Sequence, residues 1–224
     1  MSDQGTLTPS QFERSPGAED WRVLGDGANV FYRTDSMVTA ARFVQAIGEL
    51  PDIDGNPPDV DVRRDGVTVR LVTFTTDFGG MTTRDLEVAR QISGVARKLG
   101  LVADPTAVQN LLVVPGWTNR PEIMPFWRAV LGYVPRVDSP SEDLVDPHDR
   151  GTGFWFEQMN EPRPDGGGAI HVAVFVPYEQ AEARIAAALA AGGRMVRDQF
   201  APMWWTLADA AGNEADIATT KGRD

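Results

Sequence analysis

Two rhythms of apolar and polar positions run along this chain, and they change with the segment. In "DSMVTAARFVQAIGEL", Ala40, Phe43, Val44 and Ile47 recur at the spacing of one helix face, behind Asp35 or Ser36 as the cap. In "TTRDLEVARQISGVARKLG", Val88, Ile92, Val95 and Leu99 do the same, with Thr82 and Asp85 opening the helix and Gly100 ending it. "LTPSQF" predicts a short helix: Thr8 caps, Pro9 suits the first position, and Gln11 completes a capping box. "ANVFYRT" alternates as a strand. "VDVRRDGVTVRLVTF" reads as two strands around Asp65-Gly66, while "PDIDGNPPD" is turn chemistry. The order over residues 7–100 is helix, strand, helix, two strands, helix. It predicts an α+β unit, an antiparallel sheet with helices on one face.

Residues 101–106 read as a linker, and from 107 to 221 a module pattern appears twice. The first copy runs strand "VQNLLVV", helix "EIMPFWRAVLG", "YVPRV", an acidic loop and strand "TGFWFEQM". The second runs "IHVAVFV", helix "AEARIAAALAAGG", "RMVRDQF", "MWWTLAD" and "EADIATT". In the second helix Ala181, Ile185, Ala188 and Leu189 form the apolar face, and Gly192-Gly193 terminates it. Each copy is β-α-β-β-β, an internal repeat of whole modules. Gln109 and His171 hold the same place at the heads of the two copies.

Composition narrows the function. Of 224 residues, 42% are hydrophobic, enough for real cores. Lys and Arg number 21 against 32 Asp and Glu, a net charge of -11. That surface repels nucleic-acid backbones and anionic membranes, so neither is an expected partner. The chain has no cysteine, hence no thiolate chemistry. No long apolar run and no basic-then-apolar leader occurs, and residues 1–6 read as a disordered tail. The cytoplasm is the expected location. His148 and His171 are the two histidines, which limits neutral-pH base chemistry.

"VTVRLVTFTTDFGGMTTRDLEVARQI", with the leading "LT" helix, resembles the pterin-4a-carbinolamine dehydratase family over residues 7–99. The resemblance implies a His-His-Pro catalytic loop and a third histidine before the "D.GG" turn. Here Asn56 and Pro57 stand at the two loop histidines, Pro58 keeps the proline, Thr76 stands at the third histidine, and Asp85 matches. Dehydrating a carbinolamine needs groups that titrate near neutral pH. Asparagine, proline and threonine do not, and a surface aspartate titrates near ~4. This half is therefore expected to keep the scaffold without the usual machinery, as a structural or oligomerising module.

"FWRAVLGY", "WWTLADAAGNEADI" and the repeat itself resemble the glyoxalase/bleomycin-resistance superfamily, the vicinal oxygen chelate proteins. The resemblance implies paired βαβββ modules forming a half-open barrel with a metal or ligand inside. Carried over position by position, the ligand set is Gln109 and Glu157 from the first module, His171 and Asp216 from the second. Such a set suits one divalent ion, Mn, Fe, Ni or Zn. Glu157 or Asp216 would then shuttle a proton in lyase or isomerase chemistry.

Against this stands a plainer reading, a rim histidine and solvated carboxylates. Trp155, Trp204, Trp205 and Phe126 would then be core, or would line a hollow that binds a small aromatic or cationic molecule without chemistry, as in resistance-type sequestration. A residual hydroxypterin dehydratase is a third reading. A homo-oligomer formed through a sheet edge is a further expectation.

Overall fold

The computed structural model describes residues 5–117, 124–125, 127–128, 131–158, 170–208 and 214–223. The chain divides into two compact units: residues 1–74, 78–108 and 220–224, and residues 75–77 with 109–219.

The first unit holds β1 (Thr6–Leu7), α1 (Pro9–Glu13), β2 (Arg22–Leu24), β3 (Gly27–Arg33), α2 (Met37–Gly48), β4 (Asp59–Arg63), β5 (Gly66–Leu71), β6 (Thr73–Thr75), β7 (Phe78–Thr82), α3 (Thr83–Lys98) and β8 (Val102–Ala103). An antiparallel sheet in the order β2-β3-β5-β4, with β8 on β3, lies beside a small sheet β1-β7-β6. The caps are those the sequence predicts. Thr8 with Gln11, and Thr82 with Asp85, form reciprocal capping boxes. Ala40, Phe43 and Ile47 of α2 and Val88, Ala89, Ile92 and Ala96 of α3 are buried in one core with Val30, Tyr32, Val67 and Val69 of the sheet. Trp21 Nε1 donates to Ser93 Oγ at 3.0 Å inside that core, and Tyr32 OH lies 3.1 Å from the same oxygen.

Three details differ from the pattern. Leu99, placed on the buried face of α3, is exposed, because the helix ends there and Gly100 turns the chain at a φ of 71°. The β4–β5 loop is Arg64-Asp65 and not Asp65-Gly66, since Arg63 pairs with Gly66. A Cβ on Gly66 would sit 2.3 Å from the Phe31 ring and 2.5 Å from the Tyr32 carbonyl oxygen, so packing selects this glycine. Residues 101–106 also carry more structure than a linker needs. Val102 and Ala103 pair with Arg33 and Tyr32, and the Asp104 amide donates to Phe31 O at 2.8 Å.

The second unit holds β9 (Asn110–Trp117), β10 (Val134–Pro135), β11 (Asp143–Val145), β12 (Gly153–Trp155), β13 (Glu157–Gln158), β14 (Ile170–Phe175), α4 (Tyr178–Ala190), β15 (Arg194–Arg197), β16 (Trp204–Ala208) and β17 (Glu214–Ala218). Met124, Pro125, Trp127, Arg128 and Leu131 are helical between β9 and β10. One sheet runs β10-β11-β12-β9-β14-β17-β16-β15, with β13 also on β9. This is two copies of the same order, back to back. In each copy the last strand lies parallel to the first, β12 on β9 and β17 on β14, and β9 and β14 join the copies antiparallel. β10 and β15 end the sheet, which is open and not a closed barrel. The chain is thus α+β in both units, and no described helix is long and apolar enough to cross a membrane.

Both helical layers cover the same sheet face. Ala181, Ile185 and Ala188 of α4 pack with Val174, Val176, Trp205, Leu207 and Ile217. Met124, Trp127 and Leu131 pack with Val113, Leu144, Phe154 and Phe156. Leu189, predicted on the apolar face of α4, is exposed one residue from its end.

Candidate functional site

Side chains alternate across a strand, and paired residues share a face. Since Val113, Val174, Trp205 and Ile217 face the helices, their neighbours face the other way. That second face carries Val114, Trp155, His171, Asp216, Thr206, Trp204 and Glu214. Val114 pairs with His171, Ala173 with Asp216, Thr206 with Asp216, and Ala208 with Glu214. Glu157 pairs with Gly116, in the register that sets Phe154 on Val113, and belongs to the same face.

At the centre, His171 Nε2 lies 3.1 Å from Asp216 Oδ2, with the two side chains 11% and 13% exposed. Thr206, almost fully buried, donates its hydroxyl to Asp216 Oδ1 at 2.6 Å. Both carboxylate oxygens of Asp216 are therefore engaged from within the protein. One strand over, Arg197 Nη2 binds Glu214 Oε2 at 3.0 Å. Glu157 is half-buried and Trp155 is 37% exposed, both on β strands beside β9.

The four residues proposed as metal ligands do not assemble. Gln109 is exposed, precedes β9 and accepts from Arg184 Nη1 at 3.4 Å. His171 sits opposite Val114, so Gln109 is about 17 Å away along the strand at about 3.4 Å per residue, and strand alternation puts it on the other face. Glu157 is two strands and one alternation away from His171, about 12 Å between Cα atoms by strand spacing. Among the described residues no three His, Cys, Asp or Glu side chains are close enough to hold a metal ion. The donor set as placed does not fit a divalent ion: one imidazole is hydrogen-bonded to one carboxylate, and that carboxylate is also held by a hydroxyl. His171 and Asp216 are brought together; Gln109 and Glu157 are not brought to them. Of the aromatic candidates, Trp155 and Trp204 lie on the helix-free face, where Trp204 stacks on Phe200 at 4.4 Å. Trp205 faces α4, and Phe126 lies outside the described residues. Thr206 was missed by the sequence reading, though its alternation with Trp204 and its place opposite the "EAD" strand were available as a signal.

In the first unit, Asp52, at a φ of 57°, and a short 3-10 turn at Ile53–Gly55 deliver Asn56 toward the start of α3. Asn56 Nδ2 donates to Asp85 Oδ1 at 2.8 Å and to Thr73 Oγ1 at 3.0 Å. Asp85, fully buried, also accepts from Thr73 Oγ1 at 2.8 Å and from the Thr82 amide and hydroxyl at 2.7 Å. Pro57 is exposed and Pro58 half-buried. Thr76, matched to the third histidine, is exposed and donates its hydroxyl to Asp77 at 3.3 Å. Thr73, which the family pattern does not single out, donates its hydroxyl to Asp85.

These geometries define a two-part chain, an α+β unit joined to a paired βαβββ unit. Comparison with known proteins agrees. The family described as pterin 4 alpha carbinolamine dehydratase matches residues 6–95, and the family described as glyoxalase-like domain matches residues 113–218. A relative from Nocardia farcinica, named as a candidate pterin-4-alpha-carbinolamine dehydratase, is 36% identical over 78 residues, 35% of this chain and 80% of its own length. Another of that name, from Gloeobacter violaceus, is 35% identical over 88 residues, 37% of this chain and 94% of its own length. A solved glyoxalase/bleomycin resistance protein/dioxygenase superfamily member from Vibrio splendidus aligns over 50% of this chain and 99% of its own, at 13% identity and a TM-score of 0.34. The chain belongs to the pterin-4a-carbinolamine dehydratase family through its first unit and carries a glyoxalase-like domain in its second.

Proposed function

We propose that this protein binds a small aromatic or cationic molecule on the helix-free sheet face of its glyoxalase-like unit. The observation that carries the reading is the sorting of side chains between the two faces. Among the described residues the packed helix contacts fall on one face, while Trp155, Glu157, His171, Thr206 and Asp216 lie on the other. An exposed indole offers a flat apolar surface. Glu157, half-buried and in no ion pair among the described residues, would favour a cation over an anion. The imidazole beside them supplies a directional hydrogen bond.

The test is a titration of the 15N-labelled full chain with a panel of small aromatic amines and aromatic carboxylates, read at indole and imidazole resonances. Binding at this face shifts the Trp155 and His171 signals together and leaves Trp21, buried in the other unit, unmoved. A panel that moves neither signal at millimolar concentration, or moves only Trp21, sinks the reading.

A second reading, residual carbinolamine dehydratase activity in the first unit, draws on the names of the relatives. Asp85 weighs against it, because its hydrogen bonds tie together the start of α3, Thr73 and the Asn56 loop. Incubating the protein with a 4a-hydroxypterin tests it; dehydration above the buffer rate would favour it.

A further inference from the structure

We infer that His171, Asp216 and Thr206 form a metal-independent proton relay, with His171 as the group that meets the ligand and the other two as positioning residues. This deepens the proposed function and rests on it for the identity of the face.

The bond at Asp216 Oδ2 fixes the imidazole. A carboxylate accepts and the imidazole must donate, so the ring carries its proton on Nε2. The lone pair is then on Nδ1. Thr206 donates to the other oxygen of Asp216 at 2.6 Å, which fixes the carboxylate plane and leaves Oδ2 for the ring. A metal at this place would have to take Nε2 or Oδ2 out of that bond. It would gain no third carboxylate or imidazole among the described residues. The other carboxylate near β14, Glu214, is held by Arg197.

The chemistry it offers is proton transfer without redox change. A ligand O–H, N–H or activated C–H gives its proton to Nδ1. The bond broken is the ligand's, the bond formed is Nδ1–H, and the electron pair stays on the ligand. The ring becomes an imidazolium whose charge is met by Asp216, and the proton returns to another ligand atom or to water. The substrate class is a small molecule that isomerises or eliminates by moving a proton.

The experiment is long-range 1H–15N correlation on the labelled full chain, with His148→Gln to assign the two histidines. The expected result is a His171 with pyrrole-type Nε2 and pyridine-type Nδ1, a tautomer lost in Asp216→Ala. In Thr206→Val the tautomer survives but its signal broadens, which a merely structural threonine would not do. Equimolar Zn2+, Ni2+ or Mn2+ leaves the His171 signals in place. The opposite tautomer, or metal addition that strips the Nε2 proton with micromolar affinity, overturns the relay. If Asp216→Ala unfolds, Asp216→Asn provides the same readout with the shape kept. Failure here with ligand shifts at Trp155 intact would refute the relay alone; loss of both would refute the binding face as well.

Discussion

Asn56 and Asp85, 29 positions apart, are joined by a 2.8 Å hydrogen bond in a part-buried setting. The asparagine stands where the dehydratase resemblance implies a histidine, and its amide donates to the carboxylate that caps α3. An amide donor, which does not titrate, meets that carboxylate, so the contact serves structure. Buried acceptors stripped of their donors cost about 1–3 kcal/mol, more when charged. Asn56→Ala is expected to destabilise the first unit by about 1–2 kcal/mol in urea unfolding. Asp85→Ala, which strands Asn56, Thr73 and the Thr82 amide at once, should cost about 3 kcal/mol or more. Equal, near-zero effects from both substitutions would remove the claim that this network holds the loop to the helix.

Tyr32 gives the first unit an alkaline limit. Its ring is 1% exposed, and burial pushes the phenol up to about 12, opposed in part by the hydrogen bond with Ser93. The unfolded phenol titrates near ~10. The folded state therefore holds its proton more tightly than the unfolded state. The resulting stability is fully present below pH ~10 and is lost as pH rises toward the folded value, by about 1.4 kcal/mol per pH unit between them. Unfolding midpoints should fall steeply above pH ~10, and Tyr32→Phe should flatten that fall. An alkaline profile identical in both proteins would assign the limit to other groups.

Gly66 is expected to tolerate nothing larger than hydrogen. Its added Cβ would meet Phe31 Cζ at 2.3 Å and the backbone oxygen of Tyr32 at 2.5 Å, and the oxygen belongs to a paired central strand. Overpacking of this kind costs about 1–3 kcal/mol. Gly66→Ala should lie in that range by denaturant unfolding, while Gly48→Ala, with nothing within 4 Å, should be neutral or stabilising. Comparable values for the two would show that the chain moves aside at β5.

What the sequence reveals and what it hides divide along the same physical line. Caps and helix faces are local, so Thr8, Thr82, Ser36, Phe43 and Ile92 are legible from spacing alone. The module repeat is legible too, because each copy keeps its own order of strand and helix. Register is not local. Whether Gly66 is a turn residue or a strand residue depends on Phe31, far away in sequence, and whether Gln109 meets His171 depends on how β9 and β14 slide against each other. The helix-facing or helix-free side of Trp204 and Trp205 follows from the same register, and alternation alone could only say that they differ.

That sorting makes the last expectation the most discriminating for function. If the helix-free face binds the ligand, substitutions should divide by face and not by distance along the chain. Gln109→Ala removes the residue that heads β9, exposed and bonded to Arg184, and should leave binding of a fragment at the Trp155 face unchanged. Glu157→Gln keeps the size of a face residue and removes its charge; it should weaken a cationic fragment several-fold and spare a neutral one, since a partly buried charge pair contributes on the order of 1 kcal/mol. Trp155→Ala should weaken both, because it takes away the flat surface. Kd values from the same NMR titration supply the comparison. A Gln109→Ala variant that loses binding as strongly as Trp155→Ala would return the head of β9 to the site, and with it the four-residue ligand set that the strand register now separates.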